Sequence, residues 1–168
     1  MTNSFVFEAD MAAKKIYMSR EFNAPIEKVW RAFTEADLLD KWVGPKPYKI
    51  TTKIMEFKVG GIWLYAMVGP DGPVGWSRAE FTAIENGSYF YSINMFSDEN
   101  GSTVEGAPSS VTETKFSSIE GNRTKVEVVK AFTHEATIKM FAEGGFKEGS
   151  AMGYNQLDEL LAAEEAKF

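Results

Sequence analysis

Between residues 50 and 132 the chain alternates segments rich in β-branched and aromatic side chains with short joints of turn chemistry, and no other feature limits its fold as strongly. Strands are predicted near 50–59, 62–68, 76–84, 88–97, 111–119 and 124–132. The joints Gly60-Gly61, Gly69-Pro70-Asp71-Gly72, Asn86-Gly87 and Gly121-Asn122 place residues that tolerate positive φ between them. Joints this short cannot carry the chain over a sheet face, so successive strands must be antiparallel neighbours. The exception is the polar stretch from Ser97 to Ser110, with Asn100-Gly101 and Gly106-Ala107-Pro108, which is too long for a tight hairpin and reads as a mobile loop.

Ahead of this region, Ile16, Met18, Arg20 and Phe22 alternate with Lys15, Tyr17, Ser19 and Glu21, as in a half-buried strand. Residues 1–13 show no clear periodicity and read as a tail or an edge segment around Phe5, Val6 and Phe7. Pro25 suits a first helical turn, and Ile26, Val29, Trp30 and Phe33 follow on one helical face. Thr34 and Asp37 resemble a capping box for a second short helix carrying Leu38 and Trp42, ended by Gly44-Pro45. After the last strand, Thr133 is the expected N-cap of a long helix with Ile138 and Phe141 inward. Its second inward stripe is Phe146, Gly149, Gly153, Leu157 and Leu160, with a break or bend at Gly144-Gly145.

The chain's 168 residues can bury a sizeable core, and residues 14–168 read as a single domain. Cysteine is absent, which removes disulfides and thiolate metal sites and makes cytoplasmic location the default. No apolar run approaches the roughly 18 residues of a spanning helix, and no secretory signal opens the chain, so no membrane role is expected. With 24 acidic and 18 basic residues, the net charge of −6 opposes binding to nucleic acid. A supply of 13 Phe, 6 Tyr, 4 Trp and 8 Met suits the lining of a cavity as well as a large core.

The element order, with Arg20-Glu21-Phe22-Asn23-Ala24-Pro25 and Val29-Trp30, Lys41-Trp42-Val43-Gly44-Pro45, Val59-Gly60-Gly61-Ile62-Trp63 and Gly69-Pro70-Asp71-Gly72, resembles the START-like (SRPBCC, helix-grip, Bet v 1-like) superfamily. Within it the sequence looks like the homologue family of the activator of heat-shock protein 90 ATPase, from about residue 15 to 162. The resemblance implies an α+β fold in which a curved seven-stranded antiparallel sheet wraps a long C-terminal helix. Two short helices after the first strand close one end of a cavity. The eukaryotic co-chaperone has a separate chaperone-binding domain before this one, for which the chain has no room.

Catalytic chemistry finds little support. The chain has one histidine and no cysteine. His134 reads as a surface residue at a helix start, because no triad partners surround it. No metal or other cofactor is assigned. Neither Gly60-Gly61 nor Gly69–Gly72 opens a helix after a strand, so both are turns rather than phosphate cradles. The candidate cavity residues are Arg20, Phe33, Trp42, Trp63, Tyr65, Trp76, Tyr91, Met95, Phe141, Phe146, Gly149 and Gly153. Gly149 and Gly153 either leave volume under the helix or allow close backbone packing, and Trp42 and Trp76 are expected near the opening. Arg20, on an apolar strand face, needs an acid (Glu56, Glu80 or Glu143) or a ligand anion. The leading functional expectation is non-enzymatic binding of a small hydrophobic or aromatic molecule. The alternatives are a chaperone-associated module and a cyclase- or hydrolase-like enzyme using Arg20, Tyr65 or a buried Glu. Oligomeric state stays open between monomer and homodimer.

Overall fold

The computed structural model describes residues 4–103 and 108–163. Among them the strands are β1 (Phe5–Asp10), β2 (Lys15–Phe22), β3 (Lys49–Met55), β4 (Ile62–Gly69), β5 (Gly72–Glu85), β6 (Tyr89–Ser97), β7 (Ser109–Ile119) and β8 (Arg123–Phe132). They form one eight-stranded sheet in the order β1-β2-β8-β7-β6-β5-β4-β3, with every neighbour antiparallel. The helices are α1 (Ile26–Thr34), α2 (Ala36–Trp42), α3 (Glu135–Glu143) and α4 (Phe146–Ala163).

The expected seven strands are therefore eight. The additional one is β1, which pairs with β2 from Phe5↔Arg20 to Asp10↔Lys15. The third strand stops at Met55 rather than running to 59, and the fifth begins at Gly72, leaving Pro70-Asp71 as the hairpin tip. At the β7–β8 turn Gly121 has φ +85° and Asn122 φ +58°, the left-handed region that these two residue types enter most cheaply. Register shifts at Thr52/Ile54, Met67/Val68 and Phe81/Ala83 bend the β3–β6 half of the sheet.

The helices lie on the concave face. Pro25 occupies the N-cap of α1 in an extended conformation rather than its first turn. Thr34 does not cap α2: its hydroxyl donates back to Trp30 O at 2.9 Å, and Glu35 is the N-cap. Thr133 likewise yields its expected role to the exposed His134, which caps α3 through the backbone alone. The long C-terminal helix is two helices, because Gly145 takes φ +87° between them. Leu161 rather than Leu160 is buried at the end of the inward stripe.

At the end closed by α1 and α2 the core is aromatic: Trp30 packs edge-on to Phe116 at 4.9 Å, Phe57 to Phe81 at 4.9 Å, and Phe33 to Phe116 at 5.3 Å. The β6–β7 stretch falls partly on residues 104–107, which lie outside the described residues. Its described part crosses the outer face, where Lys53 Nζ donates to Glu99 O at 2.7 Å and Arg78 Nη1 to Gly101 O at 3.1 Å. This cover explains why β4 is apolar on both faces, with Leu64 fully buried on the outer one. No described helix is long and apolar enough to cross a membrane.

Candidate ligand cavity

Away from the aromatic plug the concave face opens into two adjoining chambers. The outer one, about 250 Å³, is lined among others by Tyr65, Ser77, Asn94, Ser110, Thr137 and Phe141. The inner one, about 210 Å³, runs toward Trp42, Phe33 and Phe90 and has Ser92, Thr112 and Gly153 in its wall. Tyr65, Asn94, Lys130 and Phe146 line both. Together the chambers reach the roughly 300–1,000 Å³ typical of small-molecule sites.

Strand alternation decides which side chains face the cavity. On β4 the inward set is Trp63, Tyr65 and Met67; on β6 it is Phe90, Ser92 and Asn94; on β5 it is Ser77, Ala79 and Phe81. Trp63 and Tyr65 stack with centroids 3.9 Å apart. Trp63 is held further by a relay: Nε1 donates to Thr52 Oγ1 at 2.9 Å, and that hydroxyl donates to Asp40 Oδ1 of α2 at 2.6 Å. Burial raises the pKa of Tyr65 above its ordinary value, opposed by a hydrogen bond with Ser77, so its hydroxyl stays protonated.

The candidate residues take different places around the cavity. Phe33, Trp42, Trp63, Tyr65, Phe146 and Gly153 line the inner chamber, while Tyr65, Met95, Phe141 and Phe146 line the outer one. Gly149 lies in the groove at the mouth with Pro45, Phe96 and Met140.

Arg20, Trp76 and Tyr91 are not brought to the cavity. Trp76 and Tyr91 fall on the outer strand phase, Trp76 with Lys53 Nζ 5.8 Å from its ring and Tyr91 opposite Glu113. Trp42 does not mark the opening either: it is 5% exposed, and its Nε1 donates to Ala32 O at 2.8 Å.

Arg20 is 3% exposed, and its acid is none of the three expected. Nη2 meets Asp158 Oδ2 at 2.5 Å and Asn155 Oδ1 at 2.9 Å, both on α4, while Nη1 donates to Glu21 O. The guanidinium therefore ties α4 to the sheet. Burial pushes the pKa of neighbouring Tyr154 well up against the opposing Arg20 charge. The two helix glycines also separate. A Cβ on Gly153 would stand 3.3 Å from Trp42 O, so this glycine serves close α2–α4 packing, whereas one on Gly149 would meet only Pro45 Cγ at 3.8 Å.

The residue that sequence reasoning missed is Lys130. Its Nζ donates to Thr112 Oγ1 at 2.9 Å and lies 5.9 Å from the Phe146 ring centroid. Burial lowers its pKa from 10.5 to about 8. The signal was present, since Lys130 stands in phase with Val126, Val128 and Phe132 on the inward face of β8.

The same architecture recurs in solved structures. Protein Ms6760 from Mycobacterium smegmatis superposes with a TM-score of 0.85 at 25% identity, covering 96% of this chain and 99% of that one. A protein from Arthrobacter aurescens gives 0.85 at 29% identity, covering 94% and 91%. One from Staphylococcus epidermidis gives 0.83 at 25%, covering 95% and 94%. No curated protein matches the sequence. The family model for Activator of Hsp90 ATPase homolog 1-like protein matches residues 23–162, and the chain belongs to that family, within the START-like (SRPBCC) fold.

Proposed function

We propose that this protein binds a small, largely aromatic molecule in the cavity between the sheet and α3–α4. The observation that carries the reading is the pair of adjoining chambers, walled by Tyr65, Phe141 and Phe146 and supplied with a few polar groups, Asn94, Thr112 and Lys130 among them. Apolar walls drive a ligand out of water, and a small number of fixed polar groups orient it. Native mass spectrometry and thermal-shift screening with aromatic, lipid and polyketide-like compounds test it. At least one class should raise the melting temperature of the wild type, and a Phe146→Trp substitution, which fills the shared wall, should abolish that shift. If no class binds, the reading fails.

The family match supports a second reading, a chaperone-associated interaction module. Pull-down with the host's heat-shock protein 90 homologue and an ATPase assay decide it: stimulation supports the reading, and absence of both binding and stimulation removes it.

A further inference from the structure

Lys130 is the one lysine on the inward face of β8, where Thr124, Val126, Val128 and Phe132 otherwise project into the core. An ammonium carries three N–H donors, and here Thr112 Oγ1 takes one. Among the described residues no acidic side chain forms an ion pair with Lys130, and no Asp or Glu lines either chamber. Arg78 borders the outer chamber, but its side chain projects to the other face of the sheet, where it meets Glu80 at 3.3 Å. Apart from Arg78, the polar side chains that share the outer chamber with Lys130 are neutral, Ser77, Asn94 and Thr137 among them.

A half-buried cation facing an apolar space without an acid is an electrostatic imbalance, and its complement is an anion that brings its own apolar body. Resting on the ligand-binding reading above, we propose that the cavity selects small aromatic acids, the carboxylate accepting hydrogen bonds from Lys130 Nζ while the ring lies against Phe141, Phe146 and Tyr65. The placement suits this class. Lys130 and Phe146 border both chambers, so an anion at Nζ leaves its ring room on either side. Charge-assisted hydrogen bonds are roughly twice as strong as neutral ones, and a surrounding low in water strengthens them further. The pKa of Lys130, lowered by burial, agrees with a cation that the protein itself does not compensate.

The test is calorimetric titration of 2-naphthoate and its neutral isostere 2-naphthamide into the full chain at pH 7, for wild type, Lys130→Met and Lys130→Arg. The wild type should bind the acid at least about 10-fold more tightly than the amide. Lys130→Met should lose the preference and bind acid and amide within about threefold of each other, and Lys130→Arg should keep a preference for the acid. Melting curves of the variants confirm folding, and methionine, close to lysine in volume, keeps the wall. Equal affinity of the wild type for acid and amide, or an undiminished preference in Lys130→Met, overturns the inference while leaving the ligand-binding reading standing. If neither these two compounds nor any neutral aromatic of the screen binds, both fall together.

Discussion

Arg20 of β2 and Asp158 of α4 meet at 2.5 Å although 138 residues separate them, and the pair is unequally buried, with side-chain exposures of 3% and 30%. The inequality predicts unequal losses. Asp158→Ala leaves the guanidinium buried against Asn155 and a carbonyl and should cost about 2–4 kcal/mol. Arg20→Met removes the buried charge and lets the carboxylate recover water, so it should cost less, about 1–2 kcal/mol. Urea unfolding of both variants checks this, and equal losses would contradict the account.

Lys130 makes stability depend on pH. In the unfolded chain it holds its proton up to about 10.5, in the folded protein only up to about 8. Between those values the unfolded chain binds more protons, so the Lys130 contribution to stability rises with pH. Below about 8 the penalty is fully present, and Lys130→Met should be the more stable protein by about 1–3 kcal/mol. The difference should close as the pH approaches 10. Tyr65 and Tyr154, both shifted upward, are common to the two proteins and cancel in the comparison. Denaturant midpoints at several pH values provide the measurement; a constant difference would show that the lysine is not buried in solution.

The two glycines of α4 should respond oppositely to alanine. Gly149→Ala gains helix propensity and meets Pro45 Cγ at an ordinary 3.8 Å, so it should stabilise by about 0.5–1 kcal/mol. Gly153→Ala presses a methyl onto Trp42 O at 3.3 Å, a carbonyl that already accepts a 2.8 Å hydrogen bond from Gln156 Nε2 and cannot easily retreat. It should destabilise by about 1 kcal/mol despite the propensity gain. Thermal unfolding distinguishes the two signs.

Thr52→Val should disconnect Trp63 from α2. It leaves Trp63 Nε1 without its 2.9 Å acceptor and Asp40 without its 2.6 Å donor, an expected loss of about 1–3 kcal/mol. Because Trp63 stacks on Tyr65 in the cavity wall, binding of any cavity ligand should weaken as well. A stability loss with unchanged ligand affinity would mean that the stacked pair holds its place without the relay.

The meander from β3 to β8 was legible because its signals are local: alternating side chains, and turns that need glycine or asparagine. The edge strand β1 was not, because only contacts distant in sequence place it. Phe5 packs on Tyr154 at 5.8 Å and Phe7 on Phe146 at 6.1 Å, both residues of α4. Of the candidate residues, Trp63, Tyr65 and Phe146 stand in the cavity wall. Trp76 and Tyr91 were assigned to the wrong face, because aromatic residues occur on both phases of these strands and nothing local says which phase is concave.

By itself, then, the sequence determined the antiparallel sheet, the two short helices and the glycine break before the last helix. Each of these rests on period-two or period-3.6 patterning and on turn chemistry that act within a few residues. Tertiary structure alone decided that Arg20 reaches Asp158, that Gly153 lies against α2, and that Lys130 faces the cavity with no acid among the described residues of its walls. Those outcomes depend on how the sheet curves and where α4 docks, and burial acts on the assembled surface rather than on any one segment.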